Sequence, residues 1–298
     1  MTEERTTTLQ LSGRKKIEFS TVLAYIVLTF WALTTIYPFI WVILNSFRQK
    51  GLIRSDSFSI PFPWMGAFTL ENYETAFARS RIFQAYGNSI LISSIVTLVV
   101  MLIAGFAAYA LVRYHFPGRE ALRSLIIASM MFPVFSTIIP VYRMEVQWGI
   151  AASGKHHLSL LSTILPQIAG NLSFAIVVLM GFIRSLPIDL EESAFLDGCN
   201  VFQIYFKIIM PIAKPSFATV AIFSFLWSYN DLFTQMFFLR RPGEKTITLL
   251  LTEISSQAGV NYGLMAAAVV IVVIPVLVVY IFLQKNIIKG LTAGAIKG

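Results

Sequence analysis

The chain has 298 residues, 56% of them hydrophobic and only 13% charged, with a formal charge of +8 and a mean hydropathy of +0.73. A soluble domain carries about 25% charged residues, so this composition excludes an ordinary soluble enzyme, a disordered chain, a collagen-like repeat and a soluble nucleic-acid binder. The surplus apolar surface requires lipid, and the basic excess suits cationic segments beside an anionic leaflet.

A hydrocarbon core needs roughly 20 apolar residues in helix to cross it. Segment 1–20 ends in the basic cluster Arg14-Lys15-Lys16, which places the N-terminus on the cytoplasmic side. A first span follows over Thr21–Leu44. It is too long for a signal-peptide core and lacks a small-residue cleavage site, so it is expected to be retained. A long outer segment then carries Pro61, Pro63 and a short helix expected around Leu70–Phe77. Further spans are predicted over Tyr86–Val112, Ala121–Met144, Leu160–Ile183, Ser216–Leu239 and Tyr262–Leu283. Pro38, Pro133, Pro140 and Pro275 fall within or near them, as membrane helices tolerate where neighbours satisfy the freed carbonyls. The expectation is an all-α, six-span membrane domain over 21–285, with a tail over 286–298 and both termini cytoplasmic. No internal repeat supports an inverted-repeat transporter.

The second outer loop holds Gly149, Gly154 and the pair His156-His157. Adjacent histidines point apart, and no cysteine or suitably spaced acid accompanies them, so no metal site is expected. Cys199 is the single cysteine, which excludes an internal disulfide. The third outer loop runs over Arg240–Asn261.

The long inner connection, 184–215, is the informative segment. Ser185 is read as an N-cap, with Pro187 in the first turn and Asp189, Glu191 and Glu192 near the positive end of the helix dipole. The helix is expected to reach Asp197, with a bend at Gly198 and a second helix over Val201–Ile209 that stops at Met210-Pro211. A helix lying on lipid carries Lys and Arg on its polar face. This arm carries four acids, Asp189, Glu191, Glu192 and Asp197, and no base after Arg184. Docking into a groove on a cytoplasmic partner fits it better.

The stretch Glu192-Ser193-Ala194-x-x-Asp197-Gly198, followed after twelve residues by Pro211, resembles the EAA loop of ABC-importer permeases. Ser193, Cys199 and Met210 depart from the usual Ala, Ala and Leu by small or volume-similar changes. The ending Gly290-Leu291-Thr292-Ala293-Gly294-Ala295-Ile296-Lys297-Gly298 is similar to the C-terminus of carbohydrate permeases of the maltose type. The resemblance implies a coupling element in which Glu192 and Asp197 anchor and orient. Ala194 would permit close approach, Gly198 would set the bend, and Pro211 would close the motif. It also implies two cytoplasmic ATPase subunits that hold ATP and Mg, a second related permease and an extracytoplasmic sugar-binding protein. Lys297 and Gly298 in the tail are further expected contacts of the ATPases.

Polar groups at membrane depth are functional candidates. Asn230 and Asp231 lie one turn after Trp227 in the fifth span, and Gln167 and Asn171 share a face of the fourth. Asp231 either bonds sugar hydroxyls or locks neighbouring helices; Gln167 and Asn171 either line a cavity or bridge helices. Trp31, Tyr37, Trp41 and Trp148 fit an interfacial aromatic belt as well as a sugar path. There is no G-x-x-x-x-G-K-S/T loop and no hydrolase motif, so the chain is expected to bind no cofactor and to catalyse nothing itself. The competing reading is an ion-coupled secondary transporter using Asp231.

Overall fold

A computed structural model describes residues 19–55, 58–60, 67–79, 81–259 and 261–295. The expected N-terminal segment (but for Phe19 and Ser20), Pro61 and Pro63, and the tail residues Lys297 and Gly298 lie outside the described residues. Helix α1 spans Phe19–Ser46; α2 (Leu52–Ser55) and α3 (Glu71–Arg79) follow it, and α4 covers Ile82–Arg113. Then come α5 (Arg119–Ser129), α6 (Val134–Gln147) and α7 (His156–Ser185). Next are α8 (Asp189–Leu196), α9 (Val201–Ile204), a π-helical turn over Tyr205–Ile209 and α10 (Met210–Ile212). The chain continues through α11 (Lys214–Asn230), α12 (Leu232–Phe238), α13 (Ile247–Ala258) and α14 (Tyr262–Ala295). The extended pairing among the described residues is an isolated antiparallel bridge between Arg48 and Phe68.

Three described helices, α1, α4 and α7, are long and apolar enough to cross a membrane, and the number rises to five if each bent helix pair is one span. This is a polytopic helical membrane protein. Helix α4 forms the centre because Ile92, Val96, Val100, Ala104 and Ala108 recur every fourth residue and are all fully buried. That stripe packs against Ala175, Leu179 and Ile183 of α7 and Phe217 and Val220 of α11. Small residues matter here because lipid offers no hydrophobic drive between helices, and close backbone approach supplies the packing. Gly105 shows the need directly. A Cβ there would collide with the Tyr205 hydroxyl and sit 3.0 Å from the Phe217 ring. Helix α1, by contrast, packs on α14 and leaves its apolar side chains exposed, as a lipid-facing helix does.

Several expected elements need correction. The third span is not one helix: α5 and α6 meet at 105°, with Pro133 at the N-cap of α6. Proline disfavours helical backbone in the residue before it, and Met130–Phe132 interrupt the helix. The fifth span breaks at Asp231, whose side chain accepts the Thr234 N–H at 3.1 Å and starts α12. The third outer segment contains a helix, α13, rather than a plain loop. Its Ile247, Leu250 and Ile254 cover the far end of α4, at three- and four-residue spacing, beside Leu264 and Ala268 of α14. His156 and His157 open α7 instead of sitting in a loop.

Candidate functional site

The α8 segment is attached to the helix bundle by a buried ion pair. Arg113, the last residue of α4, donates from Nε to Glu191 Oε1 at 2.5 Å and from Nη2 to the Leu186 carbonyl at 3.0 Å. Tyr109, one turn earlier on α4, donates to Glu191 Oε2 at 2.8 Å. Both Glu191 oxygens are thus satisfied within the chain. Below this clamp, Tyr109 and Phe106 pack their rings against Tyr205 of the π-turn, which fills the space left by Gly105. Pi-helical turns are rare and concentrate at functional sites.

The α8 turn itself ends as the sequence suggests. Gly198 has φ +84°, the Cys199 N–H bonds to the Ala194 carbonyl and the Gly198 N–H to that of Phe195. This is a Schellman ending, which favours glycine at that position. The start differs from expectation. Ser185 closes α7, with its hydroxyl bonded back to the Phe182 carbonyl, and α8 begins only at Asp189 without a side-chain cap. The prolyl restriction at Pro187 ends one helix before the next begins. The second arm also does not stop at Met210-Pro211; it passes through α10 and turns at Ala213 into α11, with a bend of 78°. Asn200 begins α9 with a full capping box, its side chain accepting from Gln203 N and Gln203 returning the bond, each at 2.9 Å.

Of the predicted coupling residues, Glu192, Asp197 and Gly198 are exposed on one turn, Pro211 is exposed at the following bend, and Ala194 is buried in the core beneath. Phe195 and Leu196 are 67% and 87% exposed beside the acids. The outer face of α8 therefore combines carboxylates with apolar side chains, while its inner face is sealed by Ala194 and Glu191.

The second constellation lies between α6, α7, α11 and α12. Gln167 Nε2 donates to Asp231 Oδ2 at 2.9 Å, and the Ser228 hydroxyl donates to Gln167 Oε1 at 2.5 Å. Gln235 donates to the Ser228 carbonyl at 3.0 Å and accepts from Thr246 and, at 2.7 Å, from Thr248. Asn171 donates to the Gln167 carbonyl at 2.7 Å. Helix bridging is thus what Gln167 does, and Asp231 joins it through Oδ2 while its Oδ1 caps α12. Gln167, Asn171, Ser228 and Asp231 also line a cavity of about 880 Å³ that includes Trp227, Trp148 and Phe233. Asn230 is outside that lining; its side chain bonds back to the Leu226 carbonyl at 2.8 Å.

The sequence reading missed three features. Arg113 was visible as a cation closing a span, but its partner on a distant segment was not. Gly105 stood within an apolar run with nothing to mark it. Glu145 lies one residue past the predicted end of the third span; it is buried, and it lines the same cavity as the half-buried Asp231. Among the described residues no group of histidine, cysteine and acidic side chains is arranged to hold a metal ion.

Long apolar helices, a clamped turn at one end and a largely apolar cavity with a few polar groups between helices are features that suit a membrane permease. Residues 100–292 match the family described as the binding-protein-dependent transport system inner membrane component. The chain belongs to that family. It is 31% identical over 277 residues to the diacetylchitobiose uptake system permease protein NgcG of Streptomyces coelicolor, covering 92% of this chain and 88% of that one. It is 33% identical over 279 residues to the galactooligosaccharides transport system permease protein GanQ of Bacillus subtilis, covering 92% and 95%. The fold matches the crystal structure of a bacterial ABC transporter involved in the import of the acidic polysaccharide alginate. That match has a TM-score of 0.72 and 22% identity, and covers 93% of this chain and 99% of that chain.

Proposed function

We propose that the chain is the permease subunit of an ATP-driven importer of saccharides, forming half of the translocation path. Family membership supports this reading over an ion-coupled transporter, and so does the commitment of both Asp231 oxygens to protein partners. In this reading the membrane is crossed six times. The spans are α1, α4, the α5–α6 pair, α7, the α11–α12 pair and α14, with both termini cytoplasmic. The complex adds a second related permease, two ATPase subunits that bind ATP and Mg, and an extracytoplasmic binding protein. This chain contributes no cofactor site.

The observation that carries the mechanism is the clamp. The outer face of α8, with Glu192, Phe195, Leu196 and Asp197, docks on an ATPase subunit, and Gly198 sets its angle. Glu191 and Arg113 then make α8 and the end of α4 one mechanical unit. Closure of the ATPases on ATP moves α8, and α4 carries the displacement to α7 and α11, which it packs against. Those helices hold Gln167, Ser228 and Asp231, so the cavity changes its access.

The test places a cysteine at Ser193 or Leu196, both exposed, in a Cys199→Ser background, and looks for crosslinks to co-purified subunits. Capture of an ATPase subunit in a pattern altered by nucleotide is the expected result. Free labelling by a water-soluble thiol reagent, with no ATPase in the preparation, contradicts the reading.

A further inference from the structure

The two arms of the segment between α7 and α11 differ in charge as sharply as in direction. The first, over 185–197, carries four acids and no base. Over 198–230 the chain has no acid, and its bases are Lys207 and Lys214, both exposed. Among the described residues neither lysine is in an ion pair. The helix Val201–Ile212 meets α11 at a bend of 78°. With α11 crossing the bilayer, an arm nearly perpendicular to it runs along the membrane surface.

Around its axis this second arm has three faces. Ile204, Tyr205, Ile209 and Ala213 are buried in the core. Phe202 and Phe206, four residues apart, are 66% and 46% exposed, and their rings meet the ring of Phe106 edge-on at 6.5 and 5.8 Å. Phe106 ends an exposed apolar stripe of α4 that includes Leu98 and Leu102. The aromatic face is therefore continuous with the surface of a membrane-spanning helix. Gln203 and Lys207, again four apart and exposed, make the third face polar and basic. A helix resting at the interface sinks aromatic and aliphatic side chains into the boundary between headgroups and chains, and turns lysines toward anionic lipid. The acidic first arm lacks these properties, and the second arm has them.

We propose that the second arm is a lipid-binding element: Phe106, Phe202 and Phe206 enter the boundary of the inner leaflet, and Lys207 and Lys214 hold anionic phospholipid headgroups. The bilayer then supports the second arm as a protein partner supports α8. Through Tyr205, packed on Phe106 and seated over Gly105, the lipid contact reaches α4. The importer reading enters only in naming the leaflet.

The experiment uses the assembled complex in nanodiscs of phosphatidylcholine. Phe202→Cys in the Cys199→Ser background carries an NBD fluorophore. Phosphatidylglycerol or phosphatidylcholine, each with a nitroxide on the acyl chain close to the headgroup, is titrated in as quencher. Both lipids quench, and phosphatidylglycerol does so at a mole fraction roughly fivefold lower or more, as expected for lysines at a headgroup surface. Lys207→Gln combined with Lys214→Gln abolishes that preference and leaves quenching by phosphatidylcholine in place. No quenching by either lipid overturns the proposal, as does quenching that appears only once the ATPases are stripped away, which makes the aromatic face a protein contact. Equal quenching by the two lipids overturns it as well, and so does a preference that survives loss of both lysines. If Phe202→Cys does not assemble, Gln203→Cys, exposed at the next position, carries the fluorophore and the same outcomes decide. Absence of ATPase subunits from the preparation is read separately and counts against the importer reading itself.

Discussion

The two polar constellations of this protein are built in opposite ways. At the α8 end, the groups of the clamp are closed on one another: Arg113 is shared between Glu191 and the Leu186 carbonyl, and Tyr109 takes the second carboxylate oxygen. In the cavity, Gln167 and Asp231 are paired but Glu145 Oε2 and Asn171 Oδ1 are not. The difference separates two tasks. A joint that transmits displacement must not be loose, so its charges are closed on one another. A cavity wall between helices that move against one another leaves some buried acceptors without a donor.

The sharpest way to break this contrast is to open the closed side. Arg113→Ala leaves Glu191 buried without its cation, a loss that costs about 3–5 kcal/mol when one partner of a buried pair is removed. The expected outcome is loss of ATPase association and of transport, read by co-purification and uptake. Glu191→Gln keeps the Tyr109 contact and is expected to be milder. Next in size is Gly105→Val, which forces a side chain against Tyr205 and Phe217; overpacking of this kind costs about 1–3 kcal/mol. Thermal unfolding of the complex in detergent measures it, and a combined Tyr205→Phe, which removes the colliding hydroxyl, is expected to recover part of the loss.

Gly198→Ala probes the bend alone. Placing a Cβ in the left-handed region costs roughly 1–2 kcal/mol, and nothing lies within 4 Å of the new atom, so the effect is conformational. Uptake is expected to fall with assembly largely retained; unchanged uptake removes Gly198 from the coupling geometry. The smallest effect is expected on the bridging side of the cavity. A double-mutant cycle between Gln167→Ala and Asp231→Ala should give a coupling of about 0.6–1.7 kcal/mol, the range of interhelical bonds in a membrane protein. A cycle between Glu145→Gln and either bridging residue should give none without substrate.

What was legible in the sequence followed from local physics. Long apolar runs located α1, α4, α7 and the start of α14, because the membrane forces length and periodicity together. The Gly198 ending of α8 was readable because a Schellman turn depends on neighbours in the chain. Breaks were harder. Pro133 and Asp231 both interrupt spans, yet a hydropathy window averages across one proline or one acid. The resemblance to importer permeases pointed to the outer face of α8. It did not reveal that Glu191, one residue before the motif, turns inward to Arg113, 78 positions away. Pairings at that distance depend on how helices assemble, and no local pattern encodes them. Glu145 escaped for a related reason: it stands at a predicted helix end, where a charged residue is ordinary, and only the fold places it on the cavity wall.

The central claim is that α8 and the end of α4 move as one body. Spin labels at Leu196 on α8 and Leu102 on α4, both exposed, report their separation by pulsed electron resonance in the complex. The account predicts the same distance with the ATPases open and with ATP bound, and a broadened, lengthened distance in Arg113→Ala. A wild-type separation that shifts by several ångströms on ATP binding would show that α8 slides against α4, and would contradict the account.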